Sequence, residues 1–368
     1  MCFDERVYQV ALCLLPGIGP VTAKRLVSHC GSASEVFRQK KRQLLKIPHI
    51  GEATAGALKN SAVLQKAEKE LKLAEKNNIQ VLFYKDKNYP KRLKQCYDSP
   101  AILFYKGNCP LEQKRVISIV GTRKITKYGE ELTEKIITEL AEKNILIVSG
   151  LAYGVDIHAH RAALRAGLNT IGVLAHGLDM IYPSAHKSTA EKMLEQGGLL
   201  SDFPFGTSPD RENFPLRNRI VAGLCDATIV IESGESGGSM ITAEFAINYN
   251  RDVFAFPGRV GDLASAGCLK LIKSNKAALI ESGNDILLAM GWNDEKIKSN
   301  KNLQKELIIP DNPDEEKIVS SLRDQGNVYI DEICSASGFG MGKVSALLLN
   351  LEFSGIVKSL PGKFYRLQ

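Results

Sequence analysis

The stretch that decides the fold is Val116-Ile-Ser-Ile-Val120, followed at once by Gly121-Thr-Arg123. A short run rich in β-branched residues, closed by a glycine, reads as a buried strand feeding a loop. The pattern recurs through the middle of the chain. Ile79–Phe83, Ile145–Val148, Thr170–Leu174, Ala227–Ile231 and Val253–Phe256 are apolar runs, most of them separated by amphipathic stretches. Glycine follows several of them, at Gly121, Gly150, Gly177, Gly234 and Gly258. Buried strands alternating with helices predict an α/β fold with a largely parallel, doubly wound sheet. Ligands of such sheets bind in the crevice beyond the carboxyl ends of the strands, so the main site is expected there.

The flanks read differently. Val7, Val10, Ala11, Leu14 and Leu15 recur at helical spacing before Pro16-Gly17-Ile18-Gly19-Pro20, and Val21-Thr-Ala-Lys-Arg-Leu26 resumes a helix. The motif returns as Ile47-Pro48-His49-Ile50-Gly51 before Glu52-Ala-Thr-Ala-Gly-Ala-Leu58, with His49 where the first copy has Gly17. Such helix–hairpin–helix units turn unpaired backbone N–H groups outward, which suits a phosphate. They serve equally as tight turns in a small bundle. A helical domain is therefore expected over residues 1–78, and the strand–helix domain over 79–292. Residues 293–313 are polar and read as a linker. Over 314–368, Ile318, Val319 and Leu322 suggest a first helix, Tyr329–Cys334 a second and Val344–Leu351 a third. A two-stranded wing around Pro361-Gly362 completes a winged helix-turn-helix outline. Its third helix carries Lys343 as its lone cation, which favours contact with protein over contact with DNA.

Composition sets the outer limits. At about 150 residues per domain, 368 residues allow two or three domains. Hydrophobic residues at 44% and charged residues at 24% exclude wholesale disorder. The formal charge of +7 is unevenly placed: residues 1–100 hold 18 Lys/Arg against 9 Asp/Glu, and the remainder holds 30 against 32. Any inference from charge is therefore local. The eight cysteines form no Cys-x-x-Cys pair, so neither a zinc ribbon nor a disulfide framework is expected, and Cys13 and Cys225 read as small buried hydrophobes. The opening Met-Cys-Phe-Asp-Glu-Arg6 lacks a basic start and long apolar core, so no signal peptide is expected. No apolar run is long enough to span a membrane. A cytoplasmic protein without membrane partners is expected.

Three catalytic patterns fail on inspection. Gly234-Glu-Ser236-Gly-Gly238 fits a nucleophile elbow, but all six histidines precede Ser236, whereas that fold requires the histidine to follow. His158-Ala-His160 invites a metal, but residues two apart on a helix point to different faces. Asp156 and His160, four apart, can instead meet and hold a loop. No G-x-x-x-x-G-K-[ST] occurs, and Gly121-Thr-Arg123-Lys-Ile-Thr126 is not a dinucleotide fingerprint. No catalytic residue, metal or cofactor is assigned.

An anion crevice remains. Ser236-Gly237-Gly238-Ser239 precedes an expected helix, so bare backbone can form a nest of N–H donors with the helix dipole behind it. Arg123 follows another strand. Arg211, Arg217 and Arg219 surround Phe214, which can offer a stacking face to a base. The competing reading makes Phe214 core and pairs the arginines with Asp210 and Glu212.

At this point the residues match a family. Val120-Gly-Thr-Arg123, Ser149-Gly-Leu-Ala-Tyr-Gly-Val-Asp156, Gly177-Leu-Asp-Met-Ile-Tyr-Pro183, Phe214-Pro-Leu-Arg-Asn-Arg-Ile-Val-Ala-Gly223 and Ser236-Gly-Gly-Ser-Met-Ile-Thr-Ala243 occur in order. Through them the chain resembles the DNA-processing protein A family (DprA, also called Smf). The resemblance implies a Rossmann-like domain flanked by a SAM-like helix-hairpin-helix domain and a winged helix. It implies a binding protein rather than an enzyme: a homodimer that holds and protects single-stranded DNA and loads the RecA recombinase during natural transformation. Carried over by position, Arg123 and Arg211 would hold phosphates and Phe214 a base. Arg217, Asn218 and Arg219 would complete the basic stretch. Ser236, Gly237, Gly238 and Ser239 would form the nest, with Lys187 a further contact. Gly267-Cys-Leu-Lys-Leu-Ile272 resembles the dimer helix, with Leu271 and Ile272 as contacts, although Leu269 stands where relatives usually have Asn. The alternative is a nucleotide or phosphoribosyl hydrolase using Glu235 or Glu244 at the nest.

Overall fold

The computed structural model describes residues 3–293, 312–322, 327–360 and 362–367, in two compact units, 1–292 and 293–368. In the first unit the strands are β1 (Gln80–Phe83), β2 (Ile102–Gly107), β3 (Val116–Val120), β4 (Leu146–Ser149), β5 (Thr170–Val173), β6 (Gly197–Ser201), β7 (Ala227–Val230), β8 (Asp252–Ala255) and β9 (Ala278–Leu279). They form one sheet in the order β1-β2-β6-β5-β4-β3-β7-β8-β9. From β6 to β9 every neighbouring pair is parallel, whereas β1–β2 and β2–β6 are antiparallel. The sheet is thus mixed, with an antiparallel extension at one edge.

Strand β3 shows why the sheet is doubly wound. All five residues are buried. Val116 and Val120 enter one core cluster and Ile117 and Ile119 the other, as the two-residue period of a strand demands. Ile220, Val221, Ala243 and Ala246, from helices Asn213–Leu224 and Gly238–Asn248, belong to the first cluster. Leu132, Ile136, Ile137, Val155 and Ala159, from helices Lys127–Leu140 and Val155–Arg165, belong to the second. Burying one such aliphatic side chain stabilises by roughly 1.5–3 kcal/mol. The strand order reverses between β3 and β7, and a crevice opens at that switch point.

Three strands escape the sequence pattern. β2 starts beside Pro100 and ends in Lys106-Gly107, β6 opens on Gly197-Gly198, and β9 has two exposed residues. β2 does carry an apolar run, Ala101–Tyr105, buried throughout, which the pattern above passes over; β6 and β9 carry none as clean. β6 enters the sheet through pairing with neighbours, which local sequence does not report.

The helical hairpins repeat in three dimensions. Gly17 (φ 77°) and His49 (φ 63°) both take the left-handed conformation. Helices Pro20–Cys30 and Glu52–Ala57 follow, N-capped by Gly19 and Gly51. The N-terminal helices do not stand apart from the sheet. Val10, Leu12, Leu26 and Val36 share a core cluster with Phe83, Ile102 and Phe104 of β1 and β2. Cutting the chain at 79 would expose that face. Cys225 is fully buried, whereas Cys13 is only partly so.

The second unit holds helices Pro313–Leu322, Ile330–Ser337 and Met341–Phe353 with β10 (Val328–Tyr329), β11 (Val357–Leu360) and β12 (Phe364–Leu367), in the sheet order β10-β12-β11. The wing therefore has a third short strand, and Tyr329 belongs to it rather than to the second helix. Lys343 is held at home, 2.7 Å from Asp314 and 4.1 Å from the centre of the Phe339 ring. Most of the expected linker, residues 294–311, and Pro361 of the wing turn lie outside the described residues. Among the described residues no helix is long and apolar enough to cross a membrane.

Candidate functional site

Two loops frame the crevice, and buried polar groups fix both. After β3, Thr122 N–H donates to the carbonyl of Glu232 (2.7 Å), and Thr126 N–H donates to the Glu232 carboxylate (2.9 Å). Thr126 Oγ1 also donates to Glu232, then accepts from Gly129 N–H to cap helix Lys127–Leu140. Arg123 therefore projects, exposed, from a loop held at both ends. Gly154 (φ 74°) closes the loop from below, where a Cβ would lie 2.1 Å from the Thr122 carbonyl oxygen.

After β7, Ser233 and Ser239 share a hydroxyl hydrogen bond of 2.8 Å beneath exposed Ser236, Gly237 and Gly238. Helix Gly238–Asn248 begins there with Gly237 as N-cap and no side-chain cap. Its first N–H groups are unpaired within the helix, and the dipole makes that end electropositive. Asn218 Nδ2 donates to the Gly238 carbonyl (3.1 Å) and fixes the turn.

Between the loops lies a cavity of about 1120 Å³. Arg123, Arg211, Phe214, Arg217, Asn218 and the stretch Ser236 to Ser239 all line it. The Arg123 guanidinium stacks 5.1 Å from the centre of the Phe214 ring. Tyr182, 48% exposed, sits 6.2 Å from the same ring. Arg123 and Arg211 make no ion pair among the described residues. Two free cations, two aromatic faces and a bare helix start thus face one space.

Three of the expected contacts lie away from the open face of the crevice. Arg217 is 4% exposed and donates to the carbonyls of Gly150 (2.6 Å) and Val173, and to Asn218 Oδ1 (3.2 Å). Burial pushes its guanidinium down to about 10, against the pull of nearby Asp156. It forms the crevice floor and ties β4 to β5. Arg219 points elsewhere: it pairs with Asp202 (2.9 Å) and donates to the Asp98 carbonyl (2.6 Å), because two positions on a helix rotate a side chain to another face. Lys187 is exposed at the start of helix Lys187–Glu195, outside the cavity lining. The dimer assignment changes too. Leu271 is 3% exposed, packed in the chain's own core, so it offers little to a partner, and Ile272 is half-buried against the same cluster.

Asp156 and His160 do not pair. Asp156 accepts from Gly150 N–H (3.1 Å) and Ala152 N–H (3.4 Å), while His160 Nδ1 sits 2.7 Å from Thr170 Oγ1. Asp156 holds backbone, whereas His160 holds the Thr170 hydroxyl, which in turn donates to the Ile147 carbonyl. His158 instead faces Glu130 (3.5 Å). Glu232 and Tyr182 are the site residues that sequence reasoning missed. Tyr182 stood in a quoted motif beside Pro183. Glu232 gave no signal, since only the fold brings it to Thr126. Of the carboxylates needed by a hydrolase, Glu244 is paired with Lys276 (2.9 Å), and Glu235 is exposed.

Fold and crevice together define a doubly wound α/β protein with a cation- and N–H-lined groove at the topological switch point. Comparison with known proteins is more specific. Residues 80–291 match the family model for DNA recombination-mediator protein A, 304–363 that for the DprA winged helix domain, and 11–62 that for a SAM-like helix-hairpin-helix tandem. The chain belongs to the DNA recombination-mediator protein A (DprA/Smf) family. It is 32% identical to protein Smf of Synechocystis over the full length of both chains. It is 45% identical to the DNA processing protein DprA of Streptococcus pneumoniae over 202 residues, 55% of this chain and 71% of that protein. The X-ray structure of S. pneumoniae DprA superposes with a TM-score of 0.64 at 33% identity, over 78% of this chain and 98% of that one. The Helicobacter pylori DprA structure, described for its single-stranded DNA binding mode, gives 0.53 at 29% identity, over 58% and 96%.

Proposed function

We propose that the chain binds single-stranded DNA in the crevice and acts as a recombination mediator, protecting incoming strands and delivering them to the RecA recombinase during natural transformation. The observation that carries this reading is the Arg123–Phe214 stack beside the bare N-terminus of helix Gly238–Asn248. A flexible strand presents phosphates and base faces in alternation. Arg123, Arg211 and the N–H nest suit the phosphates, and Phe214 with Tyr182 suits the bases. That the H. pylori relative is described for its single-stranded DNA binding mode supports a single strand as the ligand. Binding rather than turnover fits a site whose Glu244 is already ion-paired. The protein works in the cytoplasm, as a homodimer, and the winged helix, whose Lys343 is neutralised internally, contacts protein.

Fluorescence anisotropy with oligo-dT and with duplex of equal length tests the reading. Single strands should bind more tightly, with a log–log salt slope of about −0.7 per phosphate neutralised. Arg123→Glu with Arg211→Glu should weaken binding about a hundredfold, from two charge-assisted contacts at about 1.5 kcal/mol each. Unchanged affinity in that double variant overturns the site. RecA filament formation on a covered strand, with and without the protein, tests loading.

A further inference from the structure

Helix Gly238–Asn248 starts at the crevice and runs away from it. Its first two turns still line the cavity, through Ile241 and Glu244. Ile241, Phe245 and Tyr249 follow at four-residue spacing and share one face. The Phe245 and Tyr249 rings stack at 6.0 Å with 25° between their planes, and Tyr249 meets Tyr97 edge-on at 5.8 Å. Tyr97 is 68% exposed, and Ile241 40%. Tyr249 is fixed by donating its hydroxyl to Asp98. An aromatic track therefore leads from the crevice to an open tyrosine face.

Charge accompanies the track. Gly223 lies under both Tyr249 and Leu93, so the short helix Lys91–Lys94 sits beside the rings. Lys91 and Lys94 are exposed and make no ion pair among the described residues. The acids nearby are engaged: Asp98 with Tyr249, Asp226 and Glu112 with Arg92, and Glu244 with Lys276. Phe245 and Tyr249 are half-buried against the core and back the one open ring, Tyr97; net positive charge beside that ring fits a nucleic-acid strand better than an apolar partner.

We propose that this track is a second single-strand contact, in which a strand leaving the crevice follows helix Gly238–Asn248, stacks a base on Tyr97 and meets Lys91 and Lys94 with its phosphates. The inference rests on the crevice reading above. The distance from Gly238 to Tyr249 is about 17 Å along a helix, enough for several nucleotides beyond the crevice. It also assigns a task to part of the positive charge concentrated in residues 1–100.

Oligo-dT of two lengths tests it with the full chain: roughly 6 nucleotides to fill the crevice alone and roughly 20 to reach Tyr97, within the span of known single-strand sites. Tyr97→Ala should weaken the longer oligomer about tenfold, the lower part of the range for one stacked base, and leave the shorter one unchanged. Lys91→Gln with Lys94→Gln should lower the salt slope for the longer oligomer by about 1.4. Because Tyr97 is exposed, the thermal midpoint should not move. Wild-type affinity of Tyr97→Ala for both lengths overturns the proposal. So does a changed oligomeric state without a changed DNA affinity, which would mark the face as a protein contact. Arg123→Glu with Arg211→Glu must weaken both lengths. If it weakens neither while Tyr97→Ala acts on the longer one, the crevice reading fails, and with it the path from the crevice, leaving Tyr97 as a strand contact by itself.

Discussion

Arg217→Met should loosen the fold rather than release a phosphate. The guanidinium serves three acceptors, the carbonyls of Gly150 and Val173 and Asn218 Oδ1, and it sits near the buried carboxylate of Asp156. Methionine fills much of the volume but donates nothing. Removing one member of a buried charged group costs about 3–5 kcal/mol, because the remaining charge and acceptors stay buried without a partner. Against a total stability of about 5–15 kcal/mol, that lowers the melting midpoint by roughly 10 °C and leaves a folded population to measure. Urea unfolding read by fluorescence of Trp292, the single tryptophan, reports this unit. The sign with pH is also set. Burial raises the Asp156 carboxyl above its ordinary value despite Arg217 and two backbone N–H groups. Without Arg217 it rises further. A native carboxyl above its unfolded value binds the extra proton, so the variant's deficit is largest above the raised value and shrinks as pH falls towards the unfolded one. Asp156→Asn in the same chain should recover part of the loss. A wild-type urea midpoint for Arg217→Met combined with weakened strand binding would refute the reasoning and make Arg217 a phosphate contact.

His160 is fully buried and pushed down to about 3, first by burial, so it stays neutral in the fold. Its unfolded form protonates near pH 6.5, so its contribution is complete above that pH and falls by about 1.4 kcal/mol per unit below it, and urea midpoints at pH 7 and 5 should show a loss that His160→Asn reduces. Gly154→Ala should cost at least about 2 kcal/mol and weaken strand binding too, since a left-handed turn and a clash with the Thr122 carbonyl both displace the Arg123 loop. Chemical denaturation and anisotropy on one preparation read both effects. Glu232→Ala should cost about 1–3 kcal/mol through the lost acceptor at Thr126, and hydrogen exchange should quicken at Thr126 and Gly129 while β5 is unaffected.

How much of this was legible follows from the range of each signal. Val116–Val120 announced a strand buried on both faces because period-2 burial is written locally. The same reading found β4, β5, β7 and β8. It missed β6, whose Gly197-Gly198 opening carries no side-chain signal, and it passed over β2, although Ala101–Tyr105 is a buried apolar run; what the run does not tell is that β2 pairs antiparallel with β1 and β6. At the candidate site, Arg123, Phe214 and the nest stood out because each lies at a strand end or helix start, and the fold gathers them around one cavity. Arg217 and Arg219 were grouped with them by nearness in sequence, but helix rotation sends one to the floor and the other to Asp202.

By itself the sequence determined the α/β class, the helical and winged flanks, and the glycine-marked loops that line the crevice. Those follow from periodicity and turn chemistry, which act over a few residues. Only the tertiary structure decided which cations are free. Arg123 and Arg211 face open space, whereas Arg217 and Arg219 are consumed by carbonyls and a carboxylate as distant in sequence as Gly150 and Asp98. A cation's availability depends on what folding brings within 3 Å of it, and that is fixed by the packing of whole helices on the sheet.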